Sequence, residues 1–297
     1  VGLSSVTDPM GPDEYGYYIY DSGDINYDLV PSYDWIEISS IGSNLNLSNS
    51  GDGNWSGNGP LANISLPFTF QFYGIEYDEI TVCTNGWVSP GSAGAAAFRN
   101  YPIPGAGGPT PMIAAFWDDL ETGNNGDVYA YSTDQYVIIQ WDNMRTNWGN
   151  DSNTFQIILY NDSAQPNGDN NIKIQYQDFN NSSDGNYPNG GTPSHGCYST
   201  VGIESHLGES GLEYTFNNSY AEAAAELGDG TAILIVNESY SNVLLGDLNE
   251  DGIFDVLDIV ILVNTVLSGN YLTTGDMNQD GVLDVLDIVT LVNTVLG

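Results

Sequence analysis

Basic residues are almost missing from this chain: Arg99, Arg145 and Lys173 stand against 39 Asp and Glu, a formal net charge of −36. Nucleic-acid binding needs clustered Lys and Arg to displace counterions from phosphates, so that class is excluded. Adsorption to anionic membranes is disfavoured for the same reason. Cysteine is equally sparse. Cys83 and Cys197 allow one disulfide or two buried thiols, and the sequence leaves both open. No apolar run is long enough to span a bilayer. Val1 in place of an initiating methionine suggests a processed or trimmed start. Catalytic signatures are missing too, with no phosphate loop and no zinc spacing. His195-Gly-Cys197 is adjacent only in sequence, which does not set a base against a thiol, and His206 stands alone. So many acids make some close carboxylate pair inevitable, so none can be singled out for glycoside hydrolysis. The chain reads as non-enzymatic. Divalent cations are its natural partners.

What is present in strength is a pair of twelve-residue loops, 29 positions apart. The first places Asp247, Asn249, Asp251, Asp255 and Asp258 at positions 1, 3, 5, 9 and 12, with Gly252 at 6 and Ile253 at 7. The second repeats it with Asp276, Asn278, Asp280, Asp284 and Asp287, with Gly281 and Val282 in the corresponding places. This spacing lets one chain reversal wrap a calcium ion: glycine permits the sharp turn, and position 7 supplies its backbone carbonyl. Two loops imply two ions. Each loop crowds four aspartates whose repulsion a divalent cation relieves. Metal binding would thus supply much of the folding free energy of so small a module.

An apolar helix follows each loop. Ile259, Leu262, Val263, Val266 and Leu267 fall on one stripe, and Ile288, Leu291, Val292, Val295 and Leu296 repeat it. The rest of each helix carries no charge, although a solvated face in so acidic a chain should hold Glu or Lys. A protein partner is therefore expected to cover Val256, Leu257, Val260, Ile261 and Asn264, together with Val285, Leu286, Val289, Thr290 and Asn293. The near-identity of the halves lets them present one surface in two orientations.

Residues 13–236 read as all-β. Runs rich in β-branched and aromatic residues at 65–72, 79–84, 136–141, 154–160, 172–176, 200–204 and 232–236 alternate with Gly/Asn/Asp/Ser/Pro clusters. Turns are expected at Asn85-Gly86, Asn125-Gly126, Asn167-Gly168 and Asp184-Gly185, and one or two helical turns over 220–227. The expected fold class is mostly β, a large β-sandwich over 1–236 followed by a small helical two-calcium-loop module over 246–297, with 237–245 as linker. Trp87, Phe116, Trp117 and Trp141 read as core. Trp55 and Trp148 lie in polar loops and are candidates for stacking on sugars. Two acidic clusters, Asp118/Asp119/Glu121/Asp127 and Asp21/Asp24/Asp28, are candidates for further calcium or are solvated turns.

The text GDLNEDGIFDVLDIVILVNTVL and GDMNQDGVLDVLDIVTLVNTVL resembles a type I dockerin module, the calcium-dependent plug that binds a cohesin receptor. Positions 10 and 11 are Val-Leu in both halves, where many dockerins carry small hydroxyl residues. The phrases Val82-Cys-Thr-Asn85-Gly86-Trp87, Ile113-Ala-Ala-Phe116-Trp117-Asp118-Asp119 and Val137-Ile-Ile-Gln-Trp141 resemble the nidogen-like extracellular domain. These resemblances imply a secreted bacterial assembly or adhesion protein. Its module would dock into a β-rich, cohesin-like receptor, or into another copy head-to-tail as an extracellular filament. The alternative is a carbohydrate-binding accessory region of a larger secreted hydrolase or protease, with glycans as partners.

Overall fold

The computed structural model describes residues 5–48, 59–123, 125–149, 151–162, 169–185, 198–237, 246, 248–249, 255–269, 272–278 and 281–296. The chain divides into two compact units, Val1–Ser239 and Tyr240–Gly297. The first unit is built of strands, beginning with β1 (Tyr18–Asp21), β2 (Ser43–Asn44), β3 (Leu61–Phe72), β4 (Ile75–Cys83) and β5 (Trp87–Pro90). Next come β6 (Met112–Trp117), β7 (Leu120–Glu121), β8 (Asp127–Ser132), β9 (Tyr136–Thr146) and β10 (Ser152–Tyr160). The last are β11 (Ile172–Asp178), β12 (Thr200–Glu204), β13 (Gly211–Phe216), β14 (Ser219–Tyr220) and β15 (Thr231–Val236). One sheet has the order β1-β15-β11-β10-β9-β8-β2, with β7 joined to β9, and the other runs β14-β13-β12-β6-β5-β4-β3. Every run expected to be a strand is one, within a few residues at its ends.

Alternation decides what each strand buries. On β9, β10 and β11 the inward set is Val137, Ile139 and Trp141, then Phe155, Ile157 and Leu159, then Ile172, Ile174 and Tyr176. These meet Val82, Val88, Ile113, Phe116 and Ile203 of the facing sheet in one core. At its centre Phe155 stacks between Trp141 and Phe116, with ring centroids 5.0 and 5.6 Å away. Hydrogen bonds also join the sheets across this core. Tyr176 Oη donates to the Ala115 carbonyl at 2.7 Å, and Trp141 Nε1 donates to the Cys83 carbonyl at 2.8 Å. Trp87 and Trp117 are buried as expected, in a second cluster with Cys83, Ile103 and Met112 on the outer side of their sheet.

The outer face of the first sheet carries an apolar cluster of Ile138 and Ile158 under Ile38 and, beside it, a polar row that is fully buried. Gln140, Gln156 and Gln175 pair across β9, β10 and β11 and pass hydrogen bonds along the row: Gln156 Nε2 donates to Gln140 Oε1 at 2.8 Å, and Gln175 Nε2 to Gln156 Oε1 at 3.0 Å. Their spare groups hold the segment 34–38 over the sheet. Ile38 N–H donates to Gln140 Oε1 at 3.2 Å, Asp34 N–H to Gln175 Oε1 at 3.1 Å, and Gln175 Nε2 to the Asp34 carbonyl at 2.9 Å. A buried amide is costly unless both ends are bonded, and here both ends are.

The Asn85-Gly86 turn forms as expected, and glycine is required there: φ is +78°, and a Cβ would lie 1.9 Å from the Phe116 carbonyl oxygen. Of the one or two helical turns expected over 220–227, a single tight turn forms, closed by Ala224 N–H on the Ala221 carbonyl at 3.0 Å. Tyr220 ends β14, and the amides beyond that turn bond outside any helical ladder. Ala225 N–H donates to the Asp21 carboxylate at 2.8 Å and Leu227 N–H to Tyr220 Oη at 3.3 Å. Tertiary partners outcompete local propensity.

All six tryptophans precede residue 149, so tryptophan fluorescence reports on this unit alone. Phe155→Ala is expected to lower its urea-unfolding stability by about 3–5 kcal/mol through lost burial and the cavity left in the stack. A midpoint indistinguishable from that of the unaltered chain would show that the stack carries no share of the stability.

Candidate functional site

The second unit holds two helices, α1 (Val256–Ser268) and α2 (Val285–Leu296). Each begins inside its acidic loop. Asp255, at loop position 9, is the N-cap of α1: its carboxylate accepts the Leu257 N–H at 2.7 Å, while Asp258, three residues on, reaches back to the Asp255 N–H at 2.9 Å. The second loop repeats this, with Asp284 accepting from Leu286 N–H at 2.7 Å and Asp287 from Asp284 N–H at 2.8 Å. The Asp-Val-Leu-Asp text is therefore a capping box as well as half of a metal loop.

Position 12 also closes each loop. Asp258 and Asp287 are fully buried. The other oxygen of Asp258 accepts N–H from Leu248 and Asn249 at 2.8 and 3.2 Å, and that of Asp287 accepts from Asn278 at 3.3 Å. At position 1, Asp276 accepts the Gly281 N–H at 2.9 Å, folding the loop at the glycine, whose φ is +81°. Asp247, Asp251, Ile253 and Asp280 lie outside the described residues. Among the described residues no three His, Cys, Asp or Glu side chains form a metal-sized group. The donor chemistry present nonetheless fits calcium: every side-chain donor in the pattern is a hard oxygen, and both turns are closed by carboxylates at the positions that would face an ion.

The halves pack by exchange. Leu262 of α1 and Leu291 of α2 are fully buried. A Cβ on Gly275 would come within 2.8 Å of Leu262, and one on Gly246 within 2.7 Å of Leu291. Each glycine that opens a loop thus seats the central leucine of the opposite helix. The repeated Gly-Asp dipeptide at the head of each loop is the sequence signal of this packing.

The outer faces are alike residue for residue. Val256, Leu257 and Val260 are 63, 54 and 52 % exposed, and Val285, Leu286 and Val289 are 62, 56 and 52 % exposed. Asn264 and Asn293 are exposed beside them, and Ile261 and Thr290 are half-buried. One expectation fails. Leu267, placed in the buried stripe of α1, is 80 % exposed, because it lies in the last turn, just before the left-handed Gly269 that ends the helix. Its relatives Ile259, Val263 and Val266 are half-buried, so the stripe narrows to Leu262 as a fully covered position.

In the first unit the acidic clusters separate. Glu121 pairs with Arg145, and Asp127 accepts from Asn44 Nδ2 at 2.9 Å, which leaves Asp118 and Asp119 together and buried. Asp21 accepts from Gly23 N–H, Tyr214 Oη and Ala225 N–H; Asp24 is buried beside it, and Asp28 is exposed. Burial pushes the Cys83 thiol up to about 12, so it is a poor nucleophile. It is a free thiol; His195 and Cys197 lie outside the described residues. Trp148 is 48 % exposed, and Trp55 lies outside the described residues.

A two-sheet β-unit joined to a duplicated acidic loop and helix is the layout of a modular docking protein. Residues 36–239 match the NIDO related model, more than half of the chain, and the chain belongs to that family. Residues 245–296 match the Dockerin type I domain. Dockerin type I domains bind calcium and dock onto cohesin partners, and neither module is catalytic. Both are typical of extracellular proteins. No curated protein and no solved structure matches the chain. Among the described residues no helix is long and apolar enough to cross a membrane.

The buried carboxyls set a pH dependence. Burial, with Asp21 and Asp8 adding to it against the pull of the Asp21 N–H, moves Asp24 up to about 7. Burial does the same to Glu204, against the Gly105 N–H. Both groups hold their protons longer folded than unfolded, so their contribution is greatest below their ordinary range near 4 and declines as pH rises toward 7. Against burial, which raises it, hydrogen bonds from Gln140, Ser39 and Trp35 together lower Glu37 to about 2, so it loses its stabilising contribution only on acidification below that window. In calcium-free buffer the β-unit is expected to melt at a higher temperature at pH 5 than at pH 8, followed by tryptophan fluorescence. The reverse order would contradict this assignment.

Proposed function

We propose that the chain is a secreted, non-catalytic assembly protein in which a calcium-ordered plug docks the β-unit onto a protein receptor. The observation that carries this is the duplicated apolar face: six aliphatic side chains, three per helix, each more than half exposed. Asp247, Asn249, Asp251, Asp255, Asp258 and the Ile253 carbonyl would hold one ion. Asp276, Asn278, Asp280, Asp284, Asp287 and the Val282 carbonyl would hold the second. Calcium, when bound, neutralises the aspartates that otherwise repel one another across each turn. The chain's own part is to pre-cap both helices and to seat each leucine on the opposite glycine, so that ordering the loops fixes the two faces together.

A cohesin-like β-rich receptor is the partner in this reading, held by Val256, Leu257, Val260, Ile261 and Asn264 or by their counterparts Val285, Leu286, Val289, Thr290 and Asn293. A receptor on another copy would give a head-to-tail filament, because contact between unlike surfaces does not close unless the rotation brings it round. Electron microscopy with calcium and with EGTA decides that form: monomers in both would refute it.

Calorimetric titration of the full chain with calcium is expected to lose heat in Asp258→Ala and again in Asp287→Ala, each removing one loop. Receptor capture is expected to survive Val260→Asp or Val289→Asp alone and to fail in the double variant, since either face suffices. Capture by the double variant at the unaltered level would refute the helix-face assignment.

A further inference from the structure

Where β4 and β6 end and β12 begins, the first unit gathers buried side-chain oxygen, part of it without a hydrogen-bond partner. Asp118 and Asp119 directly follow β6 and are 1 and 2 % exposed. Asp118 Oδ1 accepts the Asp119 N–H at 2.7 Å, but its Oδ2 is buried without a hydrogen-bond partner. Ser199 Oγ, in a residue with no exposure at all, is likewise unpartnered, and Thr84 Oγ1, equally buried, lies beside the Cys83 thiol. Asp119 has an Asn147 Nδ2 donor at 2.8 Å.

The topology brings these groups to one place. Cys83 and Trp117 pack in the outer cluster, so strand alternation turns the next residues, Thr84 and Asp118, toward the space between the sheets. Thr200 is the register partner of Trp117 and points outward, its Oγ1 donating to the Tyr101 carbonyl at 3.1 Å. Ser199 therefore comes level with Asp118 and points inward beside it. Asn85 Oδ1 accepts the Leu120 N–H at 3.0 Å, which closes the 84–86 turn onto the 118–120 turn. Asn181 Oδ1 accepts the Ser199 N–H at 2.7 Å.

Two adjacent carboxylates out of water, with hydroxyl oxygens around them, call for positive charge. The chain has little to give. Arg145 is engaged by Glu121, Arg99 lies over the Phe98 ring, and Lys173 belongs to the outer face of β11. The donors are all hard oxygens, which suits a calcium-class ion and not a thiophilic metal.

We propose that Asp118, Asp119, Thr84 and Ser199 hold a structural divalent cation of the calcium class, which ties the 84–86 turn, the 118–120 turn and the start of β12 together. It is separate from the C-terminal loops and does not depend on them.

Terbium luminescence tests it in the full chain. Excitation selective for tryptophan reports terbium near Trp117, whereas residues 240–297 contain no tryptophan. After EGTA treatment, the chain is expected to give tryptophan-sensitised terbium emission that excess calcium displaces. Asp118→Asn is expected to weaken terbium binding by about tenfold or more, and Glu222→Gln, an exposed acid elsewhere, to leave it unchanged. Should Asp118→Asn fail to fold, Ser199→Ala takes its place: weaker binding supports the site and unaltered binding overturns it. No sensitised emission from the unaltered chain, or unaltered affinity in a folded Asp118→Asn, would also overturn it.

Discussion

The structure is governed by a surplus of carboxylate with almost no cation to answer it. With one ion pair among the described residues, Arg145–Glu121, buried acids must find their partners elsewhere. Backbone amides serve most often. Asp13 collects the N–H groups of Tyr15, Gly16 and Tyr17, and Asp258 collects those of Leu248, Asn249 and Asp255. Tyrosine hydroxyls and amide side chains do the rest, as when Tyr17 and Asn237 both donate to Asp169. Such bonds to an ionised acceptor are among the stronger ones in proteins, and they fix turns where a salt bridge would only pair side chains.

Under the proposed function, the same constraint makes the C-terminal unit conditional on metal. Its aspartates cap helices, close loops and crowd against one another at once. Amides answer part of that charge, and a divalent ion would answer the rest. The geometry then couples metal to surface: Gly246 and Gly275 lock each loop to the opposite helix, so ordering one loop stiffens both apolar faces. On the proposed function, a docking face that forms only in a calcium-containing medium would follow from electrostatics and packing, without any moving part.

Much of this was legible in the sequence, and the reasons differ by element. The strands could be read because β-branched and aromatic runs are bounded by explicit turns; Trp87, Phe116, Trp117 and Trp141 proved to be core for the same reason. The dockerin module could be read because its acidic loop pattern is complete within twelve consecutive residues and occurs twice. What escaped depends on contacts distant in sequence. The glutamine row that holds 34–38 needs three strands in register, and no local pattern announces it. The exchanged glycines require the two halves to be packed. Leu267 fails because periodicity cannot tell how far a partner helix reaches, and 220–227 stops at one turn because Asp21 lies some two hundred residues away. Asp118 and Asp119 were visible as acids, but Thr84 and Ser199 become their neighbours only through the sheet.

The claim that divalent ions order the C-terminal unit is tested most directly by hydrogen exchange of the full chain, read on peptides covering Val256–Ser268 and Val285–Leu296. With calcium both helices should be protected, and in chelator that protection should disappear together from both. Equal protection in the two conditions would mean that the unit folds without metal and would contradict the account.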